Sequence, residues 1–139
     1  MAARHEAEKI LADLPDRISD VIKPFARQSP DHPALVLGDV TWTYAELAGF
    51  IADAALILEL YDIRPGDRVM IISENSLALV TLIFAISELD AWSVVVNPRL
   101  SAREVDLIRE HSGARRVFYT TDVSDAARQH AVPATSDRR

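Results

Sequence analysis

The chain contains no cysteine among its 139 residues, which excludes disulfide bonds, a thiolate metal site and a cysteine nucleophile. This composition is compatible with a reducing compartment, and we expect the protein to be cytoplasmic. Glycine is scarce as well, because only Gly38, Gly49, Gly66 and Gly113 are present. These four are too scattered to form a loop whose backbone N–H groups hold a phosphate, and neither a dinucleotide-binding fingerprint nor a Walker loop occurs.

Clustered positive charge and long apolar runs are also missing. The 15 Lys and Arg residues are outnumbered by 21 Asp and Glu residues, which gives a net charge of −6, and they form no run. Nucleic-acid binding needs several clustered cations, so we expect no nucleic-acid partner. The most apolar stretch, residues 77–86, is far shorter than the roughly 20 residues that a membrane-spanning helix requires. We expect neither a membrane span nor a signal peptide.

Two common kinds of catalytic site are disfavoured. The histidines, at positions 5, 32, 111 and 130, are far apart and have no partner four residues away. A zinc site would have to be assembled entirely by the fold, and surface or capping histidines are the simpler interpretation. No serine lies in a G-x-S-x-G nucleophile elbow, which argues against a serine hydrolase.

The hydrophobic pattern predicts helices and strands in a regular order. Apolar residues three or four positions apart predict a helix from Asp16 that ends before Pro30. The runs ALVL and VTW, joined by a Gly-Asp pair, predict a β-hairpin. A spacing of about 3.6 residues then predicts an amphipathic helix from Tyr44 to Tyr61. The segments RVMIIS, WSVVV and RRVFYT predict strands, separated by helices predicted at Leu77–Leu89 and at about 102–111.

Strands that alternate with helices across short links predict an α/β fold. We expect a mostly parallel sheet with helices on both faces, preceded by a helix and a short β-hairpin. Gly113 is placed to end one helix, and Asp122 or Ser124 could cap a last helix that runs through Ala131. The predicted domain spans residues 16–131, between an N-terminal arm of residues 1–15 and a polar tail of residues 132–139 that is expected to fray.

One carboxylate lies where open parallel sheets bind ligands. Glu74 follows the strand RVMIIS, and ligands of such sheets bind at the carboxyl ends of strands. The favoured alternative is that this segment only begins a helix, with Ser73 or Asn75 as its cap. Glu88 and Asp90 are predicted to lie in a solvated turn without a partner.

The polar and aromatic segment TWTYAELAGF, residues 41–50, is predicted to be a structural joint. Thr43-x-x-Glu46 has the spacing of a capping box, in which the hydroxyl and the carboxylate each bond the other residue's backbone N–H. Ser101-x-x-Glu104 repeats the device later in the chain.

The order of several short motifs resembles the beginning of AMP-forming acyl-CoA synthetases, in the adenylate-forming ligase superfamily. The resemblance covers about residues 16–131 and is carried by TYAEL at 43–47, RPGDRV at 64–69, NS at 75–76 and NPRL at 97–100 with the capping box after it. The NPRL segment is more similar to fatty-acyl or aryl-CoA ligases than to adenylation domains of peptide synthetases. The chain departs from the family at Asp90, where glycine is usual, and at the bulky Trp92.

The resemblance implies a two-step reaction for complete relatives. A carboxylic acid attacks ATP, with magnesium assisting, to give an acyl-adenylate and pyrophosphate, and the thiol of CoA then takes the acyl group. In the family this chemistry depends on a Ser/Thr/Gly-rich phosphate loop ending in Pro-Lys-Gly, an aromatic-Thr-Glu segment, a ribose-binding aspartate and a C-terminal lysine. None of these occurs in this sequence.

We therefore expect a truncated N-terminal subdomain of a fatty-acid or aryl-acid CoA ligase that is inactive alone. No catalytic, cofactor-binding or metal-binding residue is assigned, and ATP, Mg, CoA and the carboxylic-acid substrate are implied only for full-length relatives. An alternative is a stand-alone assembly or binding module, in which the surface that further ligase chain would cover pairs with a partner or forms a homo-oligomer. A third is an unrelated doubly wound domain that binds a small molecule at its strand ends.

Overall fold

A computed structural model of the protein describes residues 2–132. The predicted polar tail therefore lies outside the described residues, except for Val132. Seven helical segments and five strands are present in this part of the chain. In order they are α1 (Ala2–Ala12), a 3₁₀ helix (Ile18–Ile22), α2 (Lys23–Gln28), β1 (Pro33–Leu37), β2 (Val40–Thr43), α3 (Tyr44–Leu60), β3 (Arg68–Ile72), α4 (Leu77–Glu88), β4 (Trp92–Val96), α5 (Ala102–Ser112), β5 (Arg116–Tyr119) and α6 (Asp125–Ala131).

The main sheet is small and entirely parallel. Strand β3 lies in the centre, with β4 on one side and β5 on the other. Both pairings are parallel, and Val69 of β3 lies opposite Ser93 of β4 and Arg116 of β5. Strands β1 and β2 form a separate antiparallel hairpin, whose turn contains Gly38 at a φ of +58°. The predicted α/β fold, with a helix and a hairpin ahead of a parallel sheet, is confirmed.

Helices cover both faces of the sheet because side chains alternate along the central strand. Val69 and Ile71 point to one face, and Met70 and Ile72 point to the other, and all four are completely buried. The first face packs against α3 and α4, including Leu47, Ile51, Leu58 and Ile86. The second packs against α5 and α6, including Val105 and Ala127. Burial on both sides explains why this strand has a continuous apolar sequence rather than an alternating one.

The N-terminal helices differ from the prediction. The single helix predicted from Asp16 consists of the 3₁₀ helix followed by α2, and Pro24 lies in the first turn of α2. Proline has no N–H to donate and fits only the first turn of an α-helix, so α2 begins here. Helix α1 lies inside the arm of residues 1–15, for which no element was predicted, and its Arg4–Glu8 pair is spaced at 3.3 Å.

Both predicted capping boxes are formed. The Thr43 hydroxyl accepts from the N–H of Glu46 at 3.2 Å, and the Glu46 carboxylate accepts from the N–H of Thr43 at 2.8 Å. Ser101 and Glu104 repeat this exchange at 3.3 and 2.8 Å at the start of α5. These bonds satisfy N–H groups that have no partner within the first turn of a helix.

The later helix ends also follow local rules. Gly113 ends α5 in the left-handed conformation, with a φ of +62°. Of the two caps proposed for the last helix, the structure uses Ser124, whose hydroxyl accepts from the N–H of Ala127 at 3.1 Å. Among residues 2–132 no helix has the length and apolar character to cross a bilayer.

Candidate functional site

An open cleft lies at the carboxyl ends of two parallel strands, β3 and β4. Ser73, Glu74 and Asn75 follow β3, whereas Asn97 and Arg99 follow β4. The cleft between these two loops has a volume of about 480 Å³ and is also lined by Leu79 and Val95. This is the position at which open parallel sheets bind ligands.

A cluster of buried hydroxyl groups lies at the carboxyl ends of β3 and β5. Thr120, which follows β5, donates to the hydroxyl oxygen of Ser73 at 2.9 Å, and Ser73 donates to the carbonyl oxygen of Glu74 at 2.6 Å. The Ser73 and Ser76 hydroxyl oxygens are 3.4 Å apart. All three hydroxyl residues are less than 9% exposed. The cluster therefore joins the ends of β3 and β5, and its hydroxyl groups are bonded within the protein.

Ser76 begins the helix that follows the cleft. Its hydroxyl accepts from the N–H of Leu79 at 3.1 Å, which makes it the N-cap of α4. Ser73 or Asn75 was predicted to cap this helix, and both predictions are wrong. The helix begins later because Ser73 lies at the end of the sheet ladder, where its N–H donates to the carbonyl of Val96 at 3.2 Å.

Glu74, the candidate ligand residue, is paired with a cation across the cleft. One of its carboxylate oxygens is 2.9 Å from Nη2 and 3.1 Å from Nε of Arg99. The backbone N–H of Arg99 donates to the side-chain oxygen of Asn97 at 2.9 Å. Arg99 was not predicted to belong to this site. Its position just after a predicted strand could have indicated it, because strand-end loops of a parallel sheet meet at one edge. The ion pair fixes the two loops to each other.

The opposite, amino-terminal edge of the sheet carries a denser ionic network. Asp67 accepts from the backbone N–H of Arg64 and from the Arg115 guanidinium, both at 2.8 Å, and these bonds lower the pKa of its carboxyl group. Asp62 is held mainly by the Arg64 side chain and also by Arg115, and its pKa is lowered too. The network joins the turn before β3 to the turn before β5, so its function is structural.

Glu88 and Asp90 were predicted to have no partner, and this prediction is wrong. Lys23 Nζ is 3.0 Å from Glu88 and 2.6 Å from Asp20, and these two carboxylates raise the pKa of the lysine, with Asp20 the larger influence. Asp90 makes two parallel contacts with Arg17, at 2.7 and 2.8 Å. Both carboxylates therefore hold the N-terminal segment against the end of α4.

The histidines were considered above as possible metal ligands. Within residues 2–132 no group of three or more His, Cys, Asp or Glu residues could hold a metal ion. The ring of His130 instead lies 2.9 Å from the carbonyl oxygen of Pro98, and this contact joins α6 to the loop after β4.

Comparison with known proteins agrees with this architecture. A family model described as AMP-binding enzyme matches residues 22–139. A long-chain-fatty-acid–CoA ligase of Mycobacterium tuberculosis is 36% identical over 98 residues, and a feruloyl-CoA synthase of Amycolatopsis is 36% identical over 97 residues. These matches cover 68% and 70% of this chain but only 20% of either relative. The chain thus spans about a fifth of the length of the curated relatives it matches.

Solved structures show the same likeness. A fatty acyl CoA synthetase of Mycobacterium tuberculosis superposes with a TM-score of 0.74 and 30% identity, over 85% of this chain and 24% of that one. The N-terminal subdomain of NpsA from Klebsiella oxytoca, in complex with 3-hydroxybenzoyl-AMSN, gives 0.70 and 28% over 73% and 26% of the two chains. Because the family model matches most of the sequence and these folds agree, the chain belongs to the AMP-binding enzyme family.

Proposed function

We propose that this chain is the N-terminal subdomain of an AMP-forming fatty-acid or aryl-acid CoA ligase and that it forms no acyl-CoA alone. The observation that carries the proposal is the combination of the family fold with a sequence that lacks the phosphate loop and the lysine that adenylation requires in the family. The matched relatives include ligases named for fatty, feruloyl and hydroxybenzoyl acids, which supports a carboxylic acid of one of these kinds for the complete enzyme.

The residues present do not fit ATP and its magnesium ion. The loop Ser73–Ser76, which precedes α4, contains no glycine, and its hydroxyl groups are bonded to each other and to the first turn of the helix. The carboxylate in the cleft, Glu74, is paired with Arg99. Only two lysines exist, and one of them, Lys23, is paired with two carboxylates. We assign no step of the reaction to these residues.

In this proposal the subdomain supplies a rigid wall for the complete enzyme. The buried hydroxyl cluster joins the end of β3 to the end of β5, and the Glu74–Arg99 pair joins the loops after β3 and β4. These contacts fix the shape of the cleft. Rigid elements position binding groups more accurately than loops that are free to move. Substrates and CoA would then be bound mainly by the part of a full-length ligase that this chain does not cover.

The absence of activity is tested by direct assay. The purified chain is incubated with ATP, magnesium, CoA and either a long-chain fatty acid or ferulic acid, and acyl-CoA is measured by mass spectrometry. We expect no product, whereas the mycobacterial long-chain ligase serves as the active control. Acyl-CoA formed in proportion to the amount of this chain would overturn the proposal.

Its place in a ligase is tested by grafting. Residues 22–132 replace the matching segment of the mycobacterial ligase, and acyl-CoA formation by the chimera is measured. We expect measurable turnover, because a solved fatty acyl CoA synthetase of the same organism superposes on this chain with a TM-score of 0.74. A matched chimera that carries Ile71→Asp should be inactive and unfolded, since Ile71 is completely buried. A folded first chimera without any turnover would contradict the assignment.

A further inference from the structure

Helix α1 turns most of its apolar side to solvent. Ala7, Ile10, Leu11 and Leu14 are three or four positions apart, so they lie along one side of the helix and of the turn that follows it. We call these four residues the apolar stripe. Ile10, Leu11 and Leu14 are 58%, 67% and 57% exposed. The stripe is therefore an amphipathic face that the open arrangement of the structure leaves uncovered.

Local interactions alone do not hold a helix of this length. Helix α1 has 11 residues, and isolated helices shorter than roughly 12 to 15 residues are marginal in water. Its first turn contains no acidic side chain, and its Arg4–Glu8 pair is exposed and of a kind that adds little. Most of the stability of helices in proteins comes from packing an apolar face. The stripe therefore needs a surface against which to pack.

An apolar cavity lies directly beside the base of this arm. It has a volume of about 300 Å³, and its lining includes Asp16, Ile18, Ile83, Ala91 and Trp92. Ile18 is 54% exposed and Trp92 is 68% exposed, which makes Trp92 the most exposed aromatic side chain of the described residues. Covering an indole ring removes a large apolar area from water and is favourable.

The chain connection keeps the stripe next to this cavity. Asp16 lines the cavity and Leu14 is two residues before it, so their Cα atoms are at most about 7.6 Å apart. The base of the arm is held in place, because Arg17 is paired with Asp90 at the end of α4. A group tethered by so short a link has an effective concentration on the order of millimolar, which favours it over a free partner or a second copy. The arm of the same chain is therefore the favoured occupant.

A second apolar groove is a poorer match for the arm. It begins farther along the chain, at Ser19 and Ile22, and the ion pair of Lys23 with Glu88 lies in its wall. No residue from 13 to 18 lines this groove, so the stripe could reach it only by crossing the 3₁₀ helix.

We infer that α1 folds back at Pro15 and packs its apolar stripe over Trp92, as a strap across the beginning of β4. A proline restricts the residue before it to extended conformations, so Leu14 ends the helical path and the bend falls between Leu14 and Asp16. Closure buries the stripe and the indole ring against each other. Lys9, on the opposite side of α1, stays in solvent.

The strap is tested by acrylamide quenching of Trp92 fluorescence in the full chain. The sequence has two tryptophans, so a Trp42→Phe background leaves Trp92 as the single indole. In this background we expect Leu11→Glu and Leu14→Glu each to raise the quenching constant about twofold, because Trp92 is 68% exposed in the open arrangement and the stripe should cover at least half of that area. Lys9→Glu places the same side chain on the opposite side of α1 and is the matched control, which should leave quenching unchanged.

The dependence on protein concentration identifies the occupant. A strap within one chain gives the same quenching from low micromolar to several hundred micromolar concentration, whereas protection of Trp92 that grows with concentration would assign the arm of a second copy and overturn the inference. Equal quenching in the Trp42→Phe parent and in both stripe variants would also overturn it, as would a rise in Lys9→Glu as large as theirs. Urea denaturation should show that every variant keeps the cooperative unfolding of the sheet, because the substituted residues of the arm are exposed in the open arrangement. These outcomes are independent of the acyl-CoA assays.

Discussion

Helix α4 ends with an aspartate in a position that usually holds glycine. The N–H of Ala91 donates to the carbonyl of Ile86, and the N–H of Asp90 donates to that of Ser87, both at 3.1 Å. This is the Schellman pattern, and Asp90 occupies its left-handed position with a φ of +54°. A residue with a Cβ atom is strained there, whereas the two contacts with Arg17 favour the aspartate. Replacing Asp90 therefore sets a backbone gain against an electrostatic loss.

The two effects are of similar size. A left-handed conformation costs a residue with a Cβ atom about 1 to 2 kcal/mol. Glycine avoids this cost but loses about 0.5 to 1 kcal/mol through its greater freedom in the unfolded chain. The backbone effect alone thus favours glycine by about 0.5 to 1 kcal/mol. The exposed ion pair with Arg17 favours aspartate by about 0.2 to 1 kcal/mol. We expect Asp90→Gly to change the free energy of unfolding by less than about 0.5 kcal/mol. Asp90→Ala keeps the backbone strain and loses the ion pair, so it should lower the free energy of unfolding by about 1 kcal/mol.

Urea denaturation followed by circular dichroism measures these differences. Asp90→Asn tolerates the same backbone conformation and isolates the ion pair, so its effect should shrink in high salt. In an Arg17→Ala background no pair remains to be lost, and Asp90→Gly should then raise stability by about 0.5 to 1 kcal/mol. The reasoning is refuted if Asp90→Gly is less stable than Asp90→Ala, because backbone strain would then not be the quantity that distinguishes them.

Three further changes have distinct expected outcomes. Thr43→Ala removes the cap of α3 and should lower the free energy of unfolding by about 1 kcal/mol, whereas Thr41→Ala, at an exposed residue of the same strand, should have little effect in the same urea titration. Leu58→Ala should cost about 2 to 5 kcal/mol because Leu58 is 1% exposed, and Leu60→Ala, at 86% exposure in the same helix, should stay within about 0.5 kcal/mol. The pKa of Asp67 is lower in the folded state than in the unfolded state, so its stabilising contribution is complete at neutral pH and is lost as pH falls through the carboxyl range. Asp67→Asn should therefore lose less stability than the wild-type protein between about pH 7 and about pH 3.

The elements that sequence patterns predicted correctly are those whose cause is local. The run RVMII shows two-sided burial, and both capping boxes are visible as a hydroxyl residue three positions before a glutamate. The division of the first predicted helix was missed because apolar spacing outweighed Pro24, which could have been recognised as a first-turn residue.

Contacts between distant parts of the chain explain the other errors. Glu88 pairs with Lys23 and Asp90 pairs with Arg17 across 65 and 73 positions of sequence, so no local pattern could reveal these partners. The cap of α4 was misplaced because it depends on how far the sheet ladder extends, and the N–H of Ser73 still bonds within that ladder. The sequence predicted where a cleft could lie, at the carboxyl end of a parallel strand, but not which residues line it. The lining comes from loops that are distant in sequence and that the sheet brings together.

The departures at Asp90 and Trp92 do not prevent the following strand from packing. Strand β4 pairs with β3 over five residues, from Trp92 opposite Arg68 to Val96 opposite Ile72. The side chain of Trp92 is 68% exposed, so its bulk is accommodated without displacing the core.

The acidic residues of this chain act mainly at its joints. Asp62 and Asp90 end helices in the left-handed conformation, and each is held by arginine from a different part of the chain. Glu74 links two strand-end loops, and Glu88 anchors the N-terminal segment. Each of these carboxylates therefore joins two segments of the chain by pairing with a cation from another segment. The acidic surplus of this chain is thus used, at these four positions, to hold helix ends, turns and strand-end loops in place.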